Sequence, residues 1–471
     1  MSAVVIRAKG PSGDFGPLRA EFDLPGGFGP DALAEAGAVA GDPAEFGGRE
    51  DATGLPLVTI DPPGAKDLDQ ALLVERTGHG FRVHYAIADV AAFVAPGGVL
   101  DRVARGRGQT LYLPDGNVAL HPPELSEGAA SLLPGQVRPA VLWTIDTAAG
   151  GEPAAVRVRR ALVRSREQFD YDTVQAAFDA GTPHPSVAAL PELGRARREL
   201  AIARGAVELA LPEQEVSATP DGGWALTRRP RNDIDAWNAE ISLLTGMSAA
   251  AIMLEAGVGV LRTLPEADAD AVEWLRRSAR ALGIDWPPGT TLSRLLAGLD
   301  PSRPEALALY SDTTRLLRGA GYTAFDGGPP ELRSHAGIGG PYAHVTAPIR
   351  RLVDRFGTEV CLAVTAGRPV PDWVRKALPT LPELMSASDA LAAKVERAYV
   401  DQVEAWMLAE RIGEEFGAVV LRSEENRAEV LLDEPAVIAR TAGGNLPEGE
   451  RVTVRLTAVD VAARKVTFER A

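Results

Sequence analysis

The 471-residue sequence predicts an α+β protein with a β-rich core, a long helical stretch and a small terminal β-barrel. Three observations carry that prediction. Between about 55 and 165, short apolar runs such as "LPLVTI", "RVHYAIADVAAFV", "AVLWTID" and "AAVRVRRALV" alternate with turn clusters, as strands do. From about 171 to 412 the apolar spacing changes to the helical period. The last 60 residues return to short strands, "GAVVLR", "RAEVLL", "AVIART", "RVTVRLTAVD" and "KVTFER", and five strands in so short a span fit a closed barrel.

Taken in order, residues 1–49 form a Gly/Pro-rich lead-in with one helical candidate, Asp31 to Ala40, stopped by Pro43. Residues 50–413 form the main unit. Its helices are expected over 171–180, 190–210, 233–256 with Gly257 as a stop, 268–283, 304–320 and 348–366. A long amphipathic helix should follow from Ser388, a plausible N-cap, to Ile412, with Leu391, Val395, Tyr399 and Trp406 near one stripe. Residues 414–471 form the barrel.

Composition excludes several classes. With 45% hydrophobic and 24% charged residues the chain is ordinary globular material, neither disordered nor fibrous. The start lacks a signal peptide's apolar stretch, and no uncharged run of about 18 residues is long enough for a bilayer, so a cytoplasmic protein with no membrane partner is expected. A monomer is the default. The single cysteine, Cys361, lies in the apolar run "TEVCLAV" and reads as a small core residue, which leaves no disulfide or Cys/His zinc chemistry. The net charge of −15 argues against a protein that coats nucleic acid. A locally basic channel escapes that objection, and residues 435–471 carry six Arg/Lys against four acids, which points toward a polyanion.

The chemistry concentrates in "LVTIDPPGAKDLDQAL", residues 57–72, where two strand-like runs flank a turn holding Asp61, Asp67 and Asp69, followed by Gln70. Carboxylates crowded onto one loop repel each other unless a cation sits among them, and oxygen-only ligands favour a hard ion, Mg²⁺ above all. The bare spacing, taken alone, favours a solvated acidic turn, since such spacings are common by accident.

The surroundings decide between these. "LPLVTIDPPGAKDLDQAL" resembles the signature of the ribonuclease II / ribonuclease R exoribonucleases, the RNB catalytic domain, whose loop carries four acids; three match at Asp61, Asp67 and Asp69. Further blocks follow in family order: "AIADV" at 86–90, "LDRVARGRGQTLYLPDG" at 100–116, "FDYDTV" at 169–174, "RGAVELALPEQEV" at 204–216 and "YAHVTAPIRRLVDRF" at 342–356. The resemblance implies an RNB catalytic domain, a β core with surrounding helices, closed by a terminal OB-type RNA-binding barrel. It implies a Mg²⁺-dependent 3′→5′ exoribonuclease that releases nucleoside 5′-monophosphates from single-stranded RNA.

Residue by residue, the resemblance makes Asp61, Asp67 and Asp69 metal ligands, with Asp69 the carboxylate that chemistry needs most. Arg350 becomes the clamp on the scissile phosphate, a task suited to a guanidinium; alone it would read as a salt bridge at a helix start. Arg351 and Asp354, grouped with the RNA-contacting residues, are supports for Arg350. Tyr112 and Tyr171 match tyrosines that meet the bases and sugar near the 3′ end, and Glu240 matches a carboxylate placed to accept from a ribose 2′-hydroxyl. Each of these three, taken alone, has an ordinary reading: core for the tyrosines, a surface helix acid for Glu240.

The sequence departs from the family pattern at three places. Gln70 replaces the fourth aspartate; its carbonyl can still coordinate Mg²⁺ but brings no charge. In the long helix, aligning on Trp406 puts Val400 where the family has a catalytic glutamate, and Glu396, one turn earlier, is the substitute candidate. The first 50 residues are too few for the paired cold-shock barrels with which the family begins, so an atypical N-terminal element is expected. A non-hydrolytic RNA-binding protein on the same fold is the alternative; an unrelated metal-binding structural protein would leave the other blocks unexplained.

Overall fold

The computed structural model describes residues 13–41, 47–209, 211, 213–219, 223–229, 232–425, 427–434, 437–442 and 445–471. The chain opens with helices α1 (Gly16–Glu21) and α2 (Pro30–Val39), the latter begun by a proline at its first position, where a missing N–H costs nothing. Strands β1 (Glu50–Asp51), β2 (Thr59–Ile60), β3 (Gln70–Thr77) and β4 (Gly80–Ala88) follow, then helix α3 (Val99–Arg107), a helical insertion in the stretch expected to be largely β. Strands β5 (Val137–Ala148) and β6 (Pro153–Arg164) complete a five-stranded sheet of order β1-β6-β5-β4-β3. Short β7 (Gln168–Phe169) pairs in parallel with β2.

Alternation along these strands buries both faces of the sheet. Val74, Val83, Tyr85, Val141 and Trp143 meet Ile234, Trp237 and Ile241 on one side. Leu73, Ala86, Ala88 and Leu142 meet Leu57, Leu68, Val90 and Leu100 on the other.

Helices α4 (Tyr171–Asp179) and α5 (Leu190–Ala203) lead to a hairpin, β8 (Glu213–Ala218) and β9 (Trp224–Arg229), that the helical reading omitted. Helix α6 (Asp233–Ala256) has the predicted bounds. An Asn232/Asp235 capping box starts it, and Gly257, left-handed at φ 69°, ends it. By length and composition α6 could cross a membrane, contrary to the expectation that no segment could, because its acids sit at its ends and only Glu240 interrupts its middle. Here it is a core helix packed on the sheet through Ile234, Trp237, Ile241, Leu244 and Met253.

Strand β10 (Val258–Thr263) pairs with β11 (Gly321–Asp326) around helices α7 (Ala269–Ala281), α8 (Leu292–Ala297) and α9 (Pro304–Thr313). Helices α10 (Leu352–Thr365), α11 (Asp372–Ala377) and α12 (Leu381–Leu408) follow. Cys361 is buried in α10, as a small core residue should be. The long helix begins a full two turns before Ser388, which is buried mid-helix rather than capping, with its hydroxyl donating to the Arg107 carbonyl (3.2 Å). Gly108 makes that approach feasible: it ends α3 at φ 72°, and a Cβ there would lie 2.5 Å from the Ser388 Cβ. The chain closes with β12 (Glu415–Ser423), β13 (Arg427–Leu432), β14 (Ile438–Ala442), β15 (Arg451–Asp460) and β16 (Lys465–Arg470), a closed five-stranded barrel.

Candidate active site

The acidic loop is built between β2 and β3 and pinned at several points. The Asp61 N–H donates to the Phe169 carbonyl (3.0 Å), so the β2–β7 pairing sets Asp61 beside Tyr171, the first residue of α4. Pro62 turns the chain, its carbonyl accepting from the Ala65 N–H (3.1 Å), with Gly64 at φ 80°. Ser131 fastens the far side, accepting from the Leu68 N–H (2.9 Å) and donating to the Lys66 carbonyl (2.5 Å). Leu68 is fully buried beneath, so its neighbours Asp67 and Asp69 are held in place.

A second segment, residues 346–352, closes over the first. The Ile349 N–H donates to Asp69 Oδ1 (2.8 Å), and Arg350 Nε lies 3.4 Å from Asp69 Oδ2. The Gln70 amide donates to the Thr346 carbonyl (2.7 Å), and the Thr346 hydroxyl meets Ser242 Oγ on α6 (2.8 Å). The Arg350 carbonyl accepts from the Thr110 N–H, and the Leu352 N–H donates to the Gly108 carbonyl (both 2.9 Å). Asp354, in the first turn of α10, is fully buried and accepts from the Ala347 N–H (2.7 Å) and from both arms of Arg351 (2.9 and 2.8 Å). Arg351 and Asp354 are thus the frame of the segment that presents Arg350, whose side chain is 44% exposed.

The electrostatics follow from burial. Desolvation pushes the Asp69 carboxyl up to about 8 despite the opposing pull of Arg350. Asp61 rises to about 7, chiefly through burial, with the charge of Asp67 adding to it. One oxygen of each, Asp61 Oδ2 and Asp69 Oδ2, is buried without a hydrogen bond. Buried carboxylate oxygens without donors are costly, and a hard cation is the partner that relieves the cost. Asp67 is differently placed: Tyr112, half exposed, donates its hydroxyl to Asp67 Oδ2 (2.5 Å). Among the described residues, no three His, Cys, Asp or Glu side chains converge tightly enough to enclose an ion by themselves. The donor set nevertheless fits a hard divalent cation through Asp61 and Asp69: Asp61 Oδ2 has no donor, and Asp69 Oδ2 has only the ion pair with Arg350.

Of the predicted residues, Asp61, Asp67, Asp69, Gln70, Tyr112, Tyr171 and Arg350 are brought together by these contacts. Two are not. Glu240 does not face this loop. On α6 it is Asn238 whose amide reaches the Tyr171 hydroxyl (3.5 Å) and Ser242 that meets Thr346, whereas Glu240, about 200° around the helix from Asn238 at ~100° per residue, is buried against Arg197 (3.5 Å). Desolvation raises its carboxyl, with Arg197 and Arg204 opposing. Glu396 is exposed on α12 and, among the described residues, makes no ion pair with the loop. The α12 acid that reaches toward the site is Asp389, which accepts from Gln109 (3.3 Å) and Arg262 (2.8 Å). Thr346, Asn238, Ser242 and Asp389 had no signal in the sequence; only "YAHVTAPIRR", as a block, marked the segment that contains Thr346.

With that geometry in hand, similarity to known proteins can be placed on it. Residues 49–357 match the RNB domain, and 414–471 match the RNase II-type exonuclease C-terminal S1 domain. Ribonuclease R of Escherichia coli is 31% identical over 324 residues, covering 65% of this chain and 39% of that protein, so the chain spans about two fifths of that relative's length. Mycoplasma genitalium RNase R, solved in complex with ribose-methylated single-stranded RNA, superposes with a TM-score of 0.87 at 19% identity, covering 96% of this chain and 77% of that one. Yeast Ssd1, described as a pseudonuclease, shares the fold with a TM-score of 0.68 at 17% identity, over 88% of this chain and 54% of that one.

Proposed function

The chain belongs to the RNB-domain family, with the ribonuclease II-type C-terminal S1 domain, and from that premise we propose that it is a Mg²⁺-dependent 3′→5′ exoribonuclease acting on single-stranded RNA. Relatives named as exoribonucleases support RNA exonuclease chemistry at this level of identity. One observation carries the reading furthest: Asp69 is buried between the Ile349 N–H and Arg350, and Asp61, on the same loop, keeps a buried oxygen without a hydrogen bond.

Asp61 and Asp69 would hold the cation. When bound, it supplies an activated water and neutralises charge on the leaving 3′-oxygen. The remaining work belongs to side chains. Arg350 keeps an exposed guanidinium next to Asp69, so it can take a phosphate oxygen without leaving its place. The Arg351–Asp354 pair fixes the backbone that carries it. The exposed ring of Tyr112 stacks on a base, and Tyr171, held at the start of α4, meets the next nucleotide.

Two features favour a second reading, an RNA-binding protein without hydrolysis. Gln70 spends its amide on Thr346 and brings no charge, and Tyr112 occupies an oxygen of Asp67. Incubation of the purified protein with 5′-labelled single-stranded RNA and Mg²⁺ separates the two. A shortening ladder that stops on addition of chelator supports the exonuclease; an intact RNA of shifted mobility supports the binder.

A further inference from the structure

We propose that Asp389, on α12, is a positioning residue of the reaction: its carboxylate ties together the two lengths of chain that flank the Arg350 segment and so fixes where Arg350 meets the phosphate. This rests on the exoribonuclease reading and adds a residue to it. The segment is held from two sides. On one side runs the stretch 108–110, where the Gly108 carbonyl accepts from the Leu352 N–H, the Thr110 N–H donates to the Arg350 carbonyl, and Gln109 pairs with Arg351 as an isolated antiparallel bridge. On the other side lies the pair of strands β10 and β11. The Arg262 N–H donates to the Tyr342 carbonyl (2.8 Å), and the Tyr322 hydroxyl meets His344 Nδ1 (2.8 Å). The Tyr322 and Tyr342 rings both stand edge-on to that imidazole, with centroids 5.7 and 5.3 Å away.

Asp389 joins the two sides. Its Oδ1 accepts from the Gln109 amide (3.3 Å) and its Oδ2 from Arg262 Nη1 (2.8 Å), while the Arg262 guanidinium lies over the Tyr322 ring at 4.5 Å. The residue before it, Ser388, docks on the first side a second time through the Arg107 carbonyl. Among the described residues the hydrogen bonds and ion pair of Asp389 go to Gln109 and Arg262, not to the acidic loop. Whatever it does for the chemistry therefore passes through the Arg350 segment.

Charge balance gives the carboxylate its weight. Burial, together with the charges of Arg351, Arg262 and Arg350, holds His344 well below the usual imidazole range, so the imidazole adds no charge of its own to the cluster. Each of those three arginines has one aspartate: Asp389 for Arg262, Asp69 for Arg350 and Asp354 for Arg351. Without Asp389, the Arg262 guanidinium, 19% exposed, loses its counter-charge within a cluster of like charges, which then push apart. Arg351 is gripped through two hydrogen bonds by Asp354, whereas Arg350 has a single contact with Asp69 at 3.4 Å, so Arg350 is the one that gives way. For a group that grips reacting atoms, a misplacement of about 1 Å costs about 100-fold in rate.

The test is Asp389→Ala, read in three ways. Hydrolysis of single-stranded RNA with Mg²⁺ should show kcat lowered about 10- to 100-fold, with KM and the RNA affinity in chelator within about two-fold of wild type. In an Arg350→Ala background the same substitution should cost less than about two-fold, because no guanidinium is left to position. Amide hydrogen exchange, which needs no activity, should speed up several-fold over residues 349–352 and stay at the wild-type rate in β5. Asp389→Asn, whose amide can accept from Arg262 and donate to a turned Gln109, should recover most of kcat and the slow exchange. If Asp389→Ala does not fold, Gln109→Ala, which cuts one arm of the clamp, takes its place with the same pattern expected. An unchanged kcat, a fold-loss that persists in the Arg350→Ala background, or unchanged exchange over 349–352 overturns the assignment and leaves the exonuclease reading intact. A wild type that hydrolyses nothing ends that reading, and exchange alone then decides: faster exchange over 349–352 in Asp389→Ala keeps the clamp, and unchanged exchange ends both.

Discussion

Replacing Asp69 by Asn separates the electrostatic burden of the site from its packing. The carboxyl is 4% exposed, and desolvation raises it from an ordinary value near 4 to about 8. The sign follows from the direction of that change. Because the folded state binds the proton more tightly than the unfolded chain, stability is lost as pH climbs from about 4 to about 8 and is flat above. At ~1.36 kcal/mol per pH unit, the burden at pH 7 is about 4 kcal/mol. An asparagine carries no charge, keeps an oxygen for the Ile349 N–H, and gives up only the contact with a 44%-exposed Arg350, worth about 0–1 kcal/mol. In chelator at pH 7 to 9, Asp69→Asn should therefore melt a few °C higher than wild type. Adding Mg²⁺ should narrow the gap to about 1 kcal/mol or less: the wild type gains about 2.7 kcal/mol at a hundredfold excess over its Kd, and the variant gains little. Hydrolysis should disappear while RNA affinity persists. A variant that melts lower than wild type in chelator, or shows the same response to Mg²⁺, would refute the assignment of Asp69 as a buried cation ligand.

Gln70→Asp should lower the Mg²⁺ concentration for half-maximal hydrolysis, since a carboxylate binds the ion better than an amide, and at the same time lower the melting point, because the Thr346 carbonyl loses its donor at a cost of about 1–3 kcal/mol; an unchanged Mg²⁺ titration removes Gln70 from the site. His121 is 3% exposed, and burial, with Arg355 and Arg107 nearby, pushes its imidazole down to about 3. Its folded-state value being depressed below ~6.5, the fold loses stability as pH falls from about 6.5 toward 3, by about 3 kcal/mol at pH 4.5. His121→Asn should flatten that part of the profile relative to wild type, as read from urea midpoints, and parallel profiles would count against it.

What the sequence makes legible here is what is local. The acidic loop, the bounds of α6 and the five barrel strands rest on spacings within a few residues, where turn chemistry, capping and alternation act directly. What it hides is rotation and distance. Glu240 and Glu396 sit on the expected helices, yet which way a helix turns a given residue is decided by what the opposite face buries, and on α6 that face is the sheet. The start of α12 was misplaced for a related reason. Ser388 looks like a cap, but Gly108 lets it be buried in mid-helix, a contact across 280 residues that no window can contain. The partners of Gln70 and Asp69, Thr346 and Ile349, are equally remote.

That remoteness has a consequence in time. The acidic loop is synthesised some 280 residues before its arginine and the N–H that holds Asp69. Until then the growing chain carries the carboxylates without their counter-charge, and closing a loop of that length must await the helices between. A nascent chain that ends before about residue 350 thus lacks the group proposed to grip a phosphate.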